Sequence, residues 1–194
     1  MADKIEYGFR NVYYSVITEG VGGTLTYGTP KSFLGQGCGG ISVNLAPSGD
    51  ETDFYADDIS WFSETTNNGY EGDLVMTLVS DDFKKDVMKM TQDTNGALIE
   101  KANVIFNKFA LGFEVQGNEN PTRTWYYYCS VGRANDEHQT KEASITPANK
   151  TLSLKVRPRP TDQKVKASLK KATASETAFN NFFNAVYEEV TPSV

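Results

Sequence analysis

Apolar and polar positions alternate along much of this chain, and the alternation predicts strands. Val12 to Thr18 is rich in β-branched and aromatic residues, and Thr24 to Tyr27 is a shorter run of the same kind. Ile41-Ser42-Val43-Asn44-Leu45 alternates strictly, as a half-buried strand does. The pattern lapses into a turn between Ala46 and Glu51. Asp53 to Ala56 and Trp61-Phe62 are short extended pieces on either side of the acidic step Asp57-Asp58. Asn67-Asn68-Gly69 is a turn signal, because Asn and Gly accept positive φ, and it opens a long strand from Tyr70 to Val79. Tyr70, Gly72, Leu74, Met76 and Leu78 share the face better suited to a core, and Glu71, Asp73, Val75, Thr77 and Val79 share the other. Two further strands, Val104 to Val115 and Arg123 to Val131, are joined by the polar turn Gly117 to Pro121. Lys150 to Arg159 and Lys164 to Lys170 read as a basic strand pair around Pro160-Thr161-Asp162, with Pro158 and Pro160 marking an edge or an exit from the sheet.

The period becomes helical in two places. Ser80 is placed to cap a helix over about 81–91, with Asp81 and Asp82 in its first turn and Lys84, Lys85 and Lys89 further along, the order that suits the helix dipole. Phe83, Val87 and Met90 form its apolar face, and Asn95-Gly96 is the expected stop. Thr173 and Glu176 have capping-box spacing ahead of a C-terminal helix over about 175–188. Its stripe, Phe179, Phe182, Phe183, Val186 and Tyr187, has two candidate partners: the sheet of its own subunit or that of a neighbour. The expectation is a mainly β, sandwich-like or barrel-like domain over 1–194. It carries an N-terminal arm (about 1–10), a long loop (about 47–69), a flanking helix and a C-terminal helical segment (about 173–194).

Composition narrows the class. The chain has 194 residues, 39% apolar and 23% charged, ordinary values for a globular fold. No stretch approaches the roughly 20 apolar residues needed to cross a bilayer, so no membrane role is expected. The start, MADKIEYGFRN, lacks the apolar centre of a cleaved secretion signal, so the sequon Asn149-Lys150-Thr151 carries little meaning. Cys38 and Cys129 are the only cysteines and read as free thiols of a reducing cytoplasm. The net charge of −6 hides a division. Residues 1–140 hold 10 basic and 20 acidic side chains, residues 141–171 hold 9 and 2, and residues 172–194 hold none and 3. Such a block reads either as a solvated basic surface or as one half of a head-to-tail electrostatic contact between copies, carried by Lys164, Lys166 and Lys170. It has no aromatic residue to stack on bases, which argues against nucleic-acid binding.

Candidate chemistry is sparse. Catalysis needs proton-transferring groups placed together, and the one histidine, His138, sits in a polar stretch. Gly35 to Gly40 resembles a dinucleotide loop only superficially, because a strand follows it where a helix should begin. Asp50, Glu51, Asp53, Asp57 and Asp58 offer oxygen ligands without the spacing of a calcium loop. The expectation is therefore no enzyme, no metal and no cofactor.

Several segments, in order, resemble the major tail proteins of long, non-contractile bacteriophage tails. Phe54-Tyr55-Ala56-Asp57 is similar to a tyrosine-alanine-aspartate signature of that family. Asn68-Gly69-Tyr70-Glu71-Gly72-Asp73-Leu74 is similar to a strand that opens with asparagine-glycine-tyrosine, and Asp82 to Val87, with Phe83, to the family's helix. Phe109 to Glu114 and Thr140 to Lys166 are similar to later strands. Asp58 departs from the pattern, where asparagine is expected, and so does Met88-Lys89, where glycine is common. The resemblance implies hexameric rings stacked into a tail tube in the virion. DNA would pass without specific binding, and tape measure, tail terminator and distal tail proteins would be the partners. Loop 47–69 and the chain ends would then contact the next ring. The rival class is a β-sandwich binding module for carbohydrate or a partner protein, using Trp61, Tyr126 and Tyr128 as stacking surfaces.

Overall fold

The computed structural model describes residues 5–117, 119–138, 140 and 148–190. In chain order the elements are β1 (Phe9–Glu19), β2 (Leu25–Tyr27), β3 (Lys31–Ser32), β4 (Gly40–Pro47), β5 (Glu51–Ala56), β6 (Ile59–Thr65), β7 (Tyr70–Met76), α1 (Asp81–Asp86), β8 (Thr91–Gln92), β9 (Leu98–Ile99), β10 (Phe109–Val115), β11 (Thr122–Val131), β12 (Lys150–Val156), β13 (Lys166–Lys170) and α2 (Glu176–Asn181). The fold is mainly β. One large antiparallel sheet runs β2-β1-β10-β11-β12-β7-β4, with β13 paired to β11 and β3 to β1. The sheet curls until β4, at one end of the hydrogen-bonded order, comes against β1.

The two faces of this sheet carry separate cores. One holds Val12, Tyr14, Leu74, Met76, Phe109, Leu111, Leu152 and Leu154, closed by Phe83 of α1. The other holds Ala110, Trp125 and Tyr127, closed by Phe182, Phe183 and Val186 of the C-terminal segment. Strand alternation divides β11 between them: Tyr126 goes to the first core and its neighbours Trp125 and Tyr127 to the second.

Both helices are shorter than their periodicity predicts. Ser80 caps α1 as expected, its Oγ accepting from the Phe83 amide at 3.2 Å, and Phe83 and Val87 are buried. The helix ends at Asp86, and the chain turns at Lys89, which takes φ +56°. Asn95-Gly96 turns the small β8–β9 hairpin instead of stopping the helix, with Asp93 Oδ1 accepting from the Asn95 and Ala97 amides at 2.9 and 2.8 Å. In α2 the cap is Ser175, not Thr173, which bonds back to the Lys170 carbonyl. After Asn181 the backbone tightens into i→i+3 bonds, Phe182 N to the Phe179 carbonyl at 3.3 Å and Asn184 N to the Asn181 carbonyl at 3.0 Å, while Arg123 Nη1 also donates to the Phe179 carbonyl and Trp125 Nε1 to the Phe182 carbonyl. The apolar stripe still lies down on the subunit's own sheet, with Phe179, Phe182, Phe183 and Val186 all buried.

Strand limits shift for similar reasons. β7 ends at Met76, Thr77 bonds to Gly39, and the alternation resets, leaving Leu78 exposed and Val79 buried. β10 begins at Phe109 because Asn107 is tied to the end of α1 through the Asp86 and Val87 carbonyls. The basic segments do not pair with each other. β13 pairs with Thr122–Tyr126 of β11 and β12 with Cys129–Val131, so one long strand serves both. Parts of the 1–10 arm, the 140–166 stretch and the 173–194 segment lie outside the described residues.

Phe83 meets Tyr14, Phe33 and Phe109 with ring centroids 5.0, 5.1 and 5.3 Å apart. Phe83→Ala should lower unfolding free energy by about 3–5 kcal/mol, read from the urea midpoint at unchanged slope.

Candidate assembly surface

The segment expected as a loop over 47–69 is a hairpin. β4 and β7 pair from Gly40↔Met76 to Pro47↔Tyr70, the pairing lapses, and the same two chain directions pair again as β5 and β6 from Glu51↔Thr65 to Ala56↔Ile59. Asn67-Asn68-Gly69 therefore marks the waist of a long arm, not its tip. There Ser48 donates to the Gly69 carbonyl and Asn68 to the Ser48 carbonyl, each at 2.8 Å. Gly69 sits at φ +96°, where an added Cβ would fall 2.0 Å from the Val156 carbonyl oxygen. At Gly72 the constraint is steric alone, an added Cβ falling 1.8 Å from the Asn44 carbonyl oxygen. Arg157 braces the waist, donating to the Asn68 carbonyl at 3.1 Å and to Glu71 at 2.7 Å, and holds the Glu71 carboxyl below its usual range.

At the tip, Asp57 and Asp58 take φ +51° and +60°. Two left-handed residues in a two-residue loop match the twist of the flanking strands, and Asp tolerates that conformation better than most side chains. The arm is about 20 Å long at strand rise, and neither strand pairs with any other described strand. Phe54, Tyr55, Ile59, Trp61 and Phe62 are each more than half exposed. Phe54 stands directly across from Phe62, and the bulge beyond it leaves Trp61 as the extra, unpaired residue. Asp50, Glu51, Asp53, Asp57, Asp58 and Glu64 surround them, with no basic residue between 48 and 69. Clustered exposed apolar side chains of this kind are unusual on a monomeric soluble fold, where such residues are ordinarily scattered singly.

The remaining expected residues are spread elsewhere. Ala56 ends β5 and Tyr55 precedes it at the tip. Tyr70 packs edge-on to Tyr126 at 5.5 Å, so Tyr126 is buried and unavailable as a stacking surface; of the three aromatic candidates Trp61 alone is strongly exposed. Tyr128 is half-buried and donates to Glu19 at 2.8 Å. Lys166 lies 5.0 Å over the Tyr70 ring. Lys164 pairs with Asp162 at 3.3 Å and Glu189 at 3.1 Å, and Lys170 lies in β13 opposite Thr122. The basic block is thus engaged largely within its own subunit. His138, 80% exposed, pairs with Asp136. The acidic residues 50–58 line the arm, and among the described residues no three His, Cys, Asp or Glu come together as metal ligands. No described helix is long and apolar enough to cross a membrane. Cys38 and Cys129 are free and buried, and burial pushes the Cys129 thiol up to about 12.

Two buried charges escaped sequence reasoning, because each is completed by a partner distant in the chain, Glu188 for Arg159 and Arg10 for Glu114. Arg159 grips Asp162 through two bonds of 2.8 and 2.6 Å, binds Glu188 and lies 4.6 Å over Tyr127, which fastens the C-terminal segment to the second core. Glu114 is held by Arg10 and Arg123, each at 2.7 Å. Burial raises its pKa, the two guanidinium groups lower it, and the net shift is downward.

Comparison with models of known protein families and with curated proteins returns no match to this chain.

Because the folded value of Glu114 lies below the ordinary 4.5, its contribution is full above that pH and fades as pH falls through the lowered value. Glu114→Gln should cost about 1–3 kcal/mol at pH 7 and flatten the acid limb of the stability profile, measured by urea unfolding from pH 7 down to pH 3. An acid limb unchanged by the substitution would show that other groups set it.

Proposed function

We propose that this chain is a structural subunit that polymerises with copies of itself into a tube. The form is that of the stacked hexameric rings of a long, non-contractile phage tail. The observation that carries the reading is the aromatic, acidic hairpin β5–β6, which leaves the sheet and is paired with no other described strand, its large apolar side chains more than half exposed. Folded arms of this kind gain about 1.5–3 kcal/mol for each large apolar side chain that a partner buries, and a second copy is the partner always available at high concentration.

Other features favour the reading. The outer edge of β4 pairs with no described strand, and closing a ring of sheets satisfies such an edge without open-ended aggregation. The chain is acidic overall, at −6, so a bore lined by it would repel phosphate and let DNA slide. In this reading the protein resides in the virion and meets tape measure, terminator and distal tail proteins at the tube and its ends. Of the three stacking residues expected for the rival binding module, Trp61 is the one that stays strongly exposed.

Concentrated wild-type protein should give rings or tubes by negative-stain electron microscopy. The triple variant Phe54→Ser, Trp61→Ser, Phe62→Ser should sediment as a monomer with an unchanged circular dichroism spectrum and melting temperature. A wild-type protein that stays monomeric at millimolar concentration in both low and high salt would refute the proposal. Selective glycan-array binding abolished by Trp61→Ala would favour the module instead.

A further inference from the structure

β1 carries one residue more than its partner strand. Arg10 pairs with Glu114 and Tyr13 with Gly112, so Asn11 and Val12 together oppose the single residue Phe113. Bulges of this kind re-aim a side chain. Val12 enters the first core. Asn11 takes φ +54° and lines an open cleft of about 460 Å³ beside the second core. Asn tolerates that left-handed conformation better than most residues, and an outlier held by its surroundings points to function. The volume is in the range of small-molecule sites.

Four separate parts of the chain supply the polar lining. β1 gives Asn11 and Tyr13, the β2–β3 turn gives Thr29, β11 gives Arg123, and the C-terminal segment gives Asn180 and Asn184. Tyr13 stacks on Phe183 with ring centroids 4.6 Å apart, which fixes its ring. Three of these side chains are primary amides, each with two donors and an acceptor, and two carry hydroxyls. The side chains of Asn11, Tyr13, Thr29 and Asn180 make no hydrogen bond to a described residue. Mixed donors and acceptors converging on one cleft suit a ligand rich in hydroxyls.

The cleft is positive on a chain whose net charge is −6. Arg123 is the one charged residue among its lining side chains. Arg123 and Arg10 share the buried carboxylate of Glu114, so one positive charge is left over. Arg123 gives Nε to Glu114 and Nη1 to the Phe179 carbonyl, and its guanidinium lies 4.1 Å over the Phe179 ring. The side chain is 17% exposed, held in place with Nη2 left to donate. A guanidinium fixed in this way favours a carboxylate, because their hydrogen bonds are charge-assisted. We propose that this cleft binds a sugar acid. Arg123 takes the carboxylate, and Asn11, Asn180 and Asn184 take hydroxyls together with Tyr13 and Thr29. The site stands apart from the assembly reading, since none of its residues belongs to β5 or β6.

Saturation-transfer NMR with glucuronate tests it, because the signal is read on the ligand whether the chain is monomeric or assembled. Glucuronate should give a saturable signal. Glucose, which lacks the carboxylate, and acetate, which lacks the hydroxyls, should each bind at least about tenfold more weakly. Asn11→Gly removes the amide and keeps a residue at ease with positive φ. It should weaken glucuronate about fivefold at an unchanged or raised melting temperature. Tyr13→Phe, which removes one hydroxyl and keeps the ring, should act in the same direction, and Trp61→Ala, on the arm, should change nothing. Acetate binding as well as glucuronate would reduce the cleft to a general attraction for anions and overturn the proposal. A glucuronate signal that Asn11→Gly leaves intact would put the sugar elsewhere and overturn it too, as would no saturable signal at high millimolar concentration. None of these results bears on tube formation, which microscopy reads separately.

Discussion

The structure depends on β11 having both faces buried. A strand that is covered on one side alternates apolar and polar residues, whereas Trp125, Tyr126 and Tyr127 are consecutive and all buried. Two layers must therefore pack on the sheet, and they do so by different means. α1 and its following turn seal one face with Phe83, Val87 and Met88. The other is sealed by a segment that is barely helical, held by sheet-to-carbonyl hydrogen bonds from Arg123 and Trp125. The backbone of that segment keeps only tight local turns beyond Asn181 and shares its carbonyls with the sheet, so a strong apolar stripe yields six helical residues.

Buried charge works alongside this packing. Glu114 and Arg159 are nearly enclosed, and each is ringed by opposite charge. Removing one partner leaves the other stranded in a poor solvent, so these clusters fix where the strands and the tail lie more than they add to stability. They also explain the fate of the basic block. Its charges hold Asp162, Glu188 and Glu189 in place and cover Tyr70 and Tyr127.

Much of the fold was legible because local signals were strong. Ile41 to Leu45 and Tyr70 to Met76 alternate cleanly and are strands, and Ser80 with Phe83 marks a helix start. What was not legible depended on distant partners. No local rule shows that Trp125 will take the Phe182 carbonyl, that Asn107 will hold the end of α1, or that β11 will separate β12 from β13. The hairpin lay between these cases. Asp57-Asp58 is a weaker turn signal than the Asn67-Asn68-Gly69 waist, which drew attention to the wrong bend. Yet Thr52, Phe54, Trp61 and Phe62 carry strand-forming side chains on both sides of it. The chemical sparseness read from the sequence directs interest to surfaces, and the exposed aromatic residues say which surface.

One mechanical consequence follows from the waist. β5 continues the line of β4, and β6 that of β7, so a pull on the tip runs lengthwise into two strands at the heart of a curled sheet. The hydrogen bonds between β4, β7 and β12 would bear that load in shear, all together, and not be unzipped one by one. An arm rooted in this way is suited to transmit tension from one body to the next, as a link in a chain does, without its own subunit coming apart.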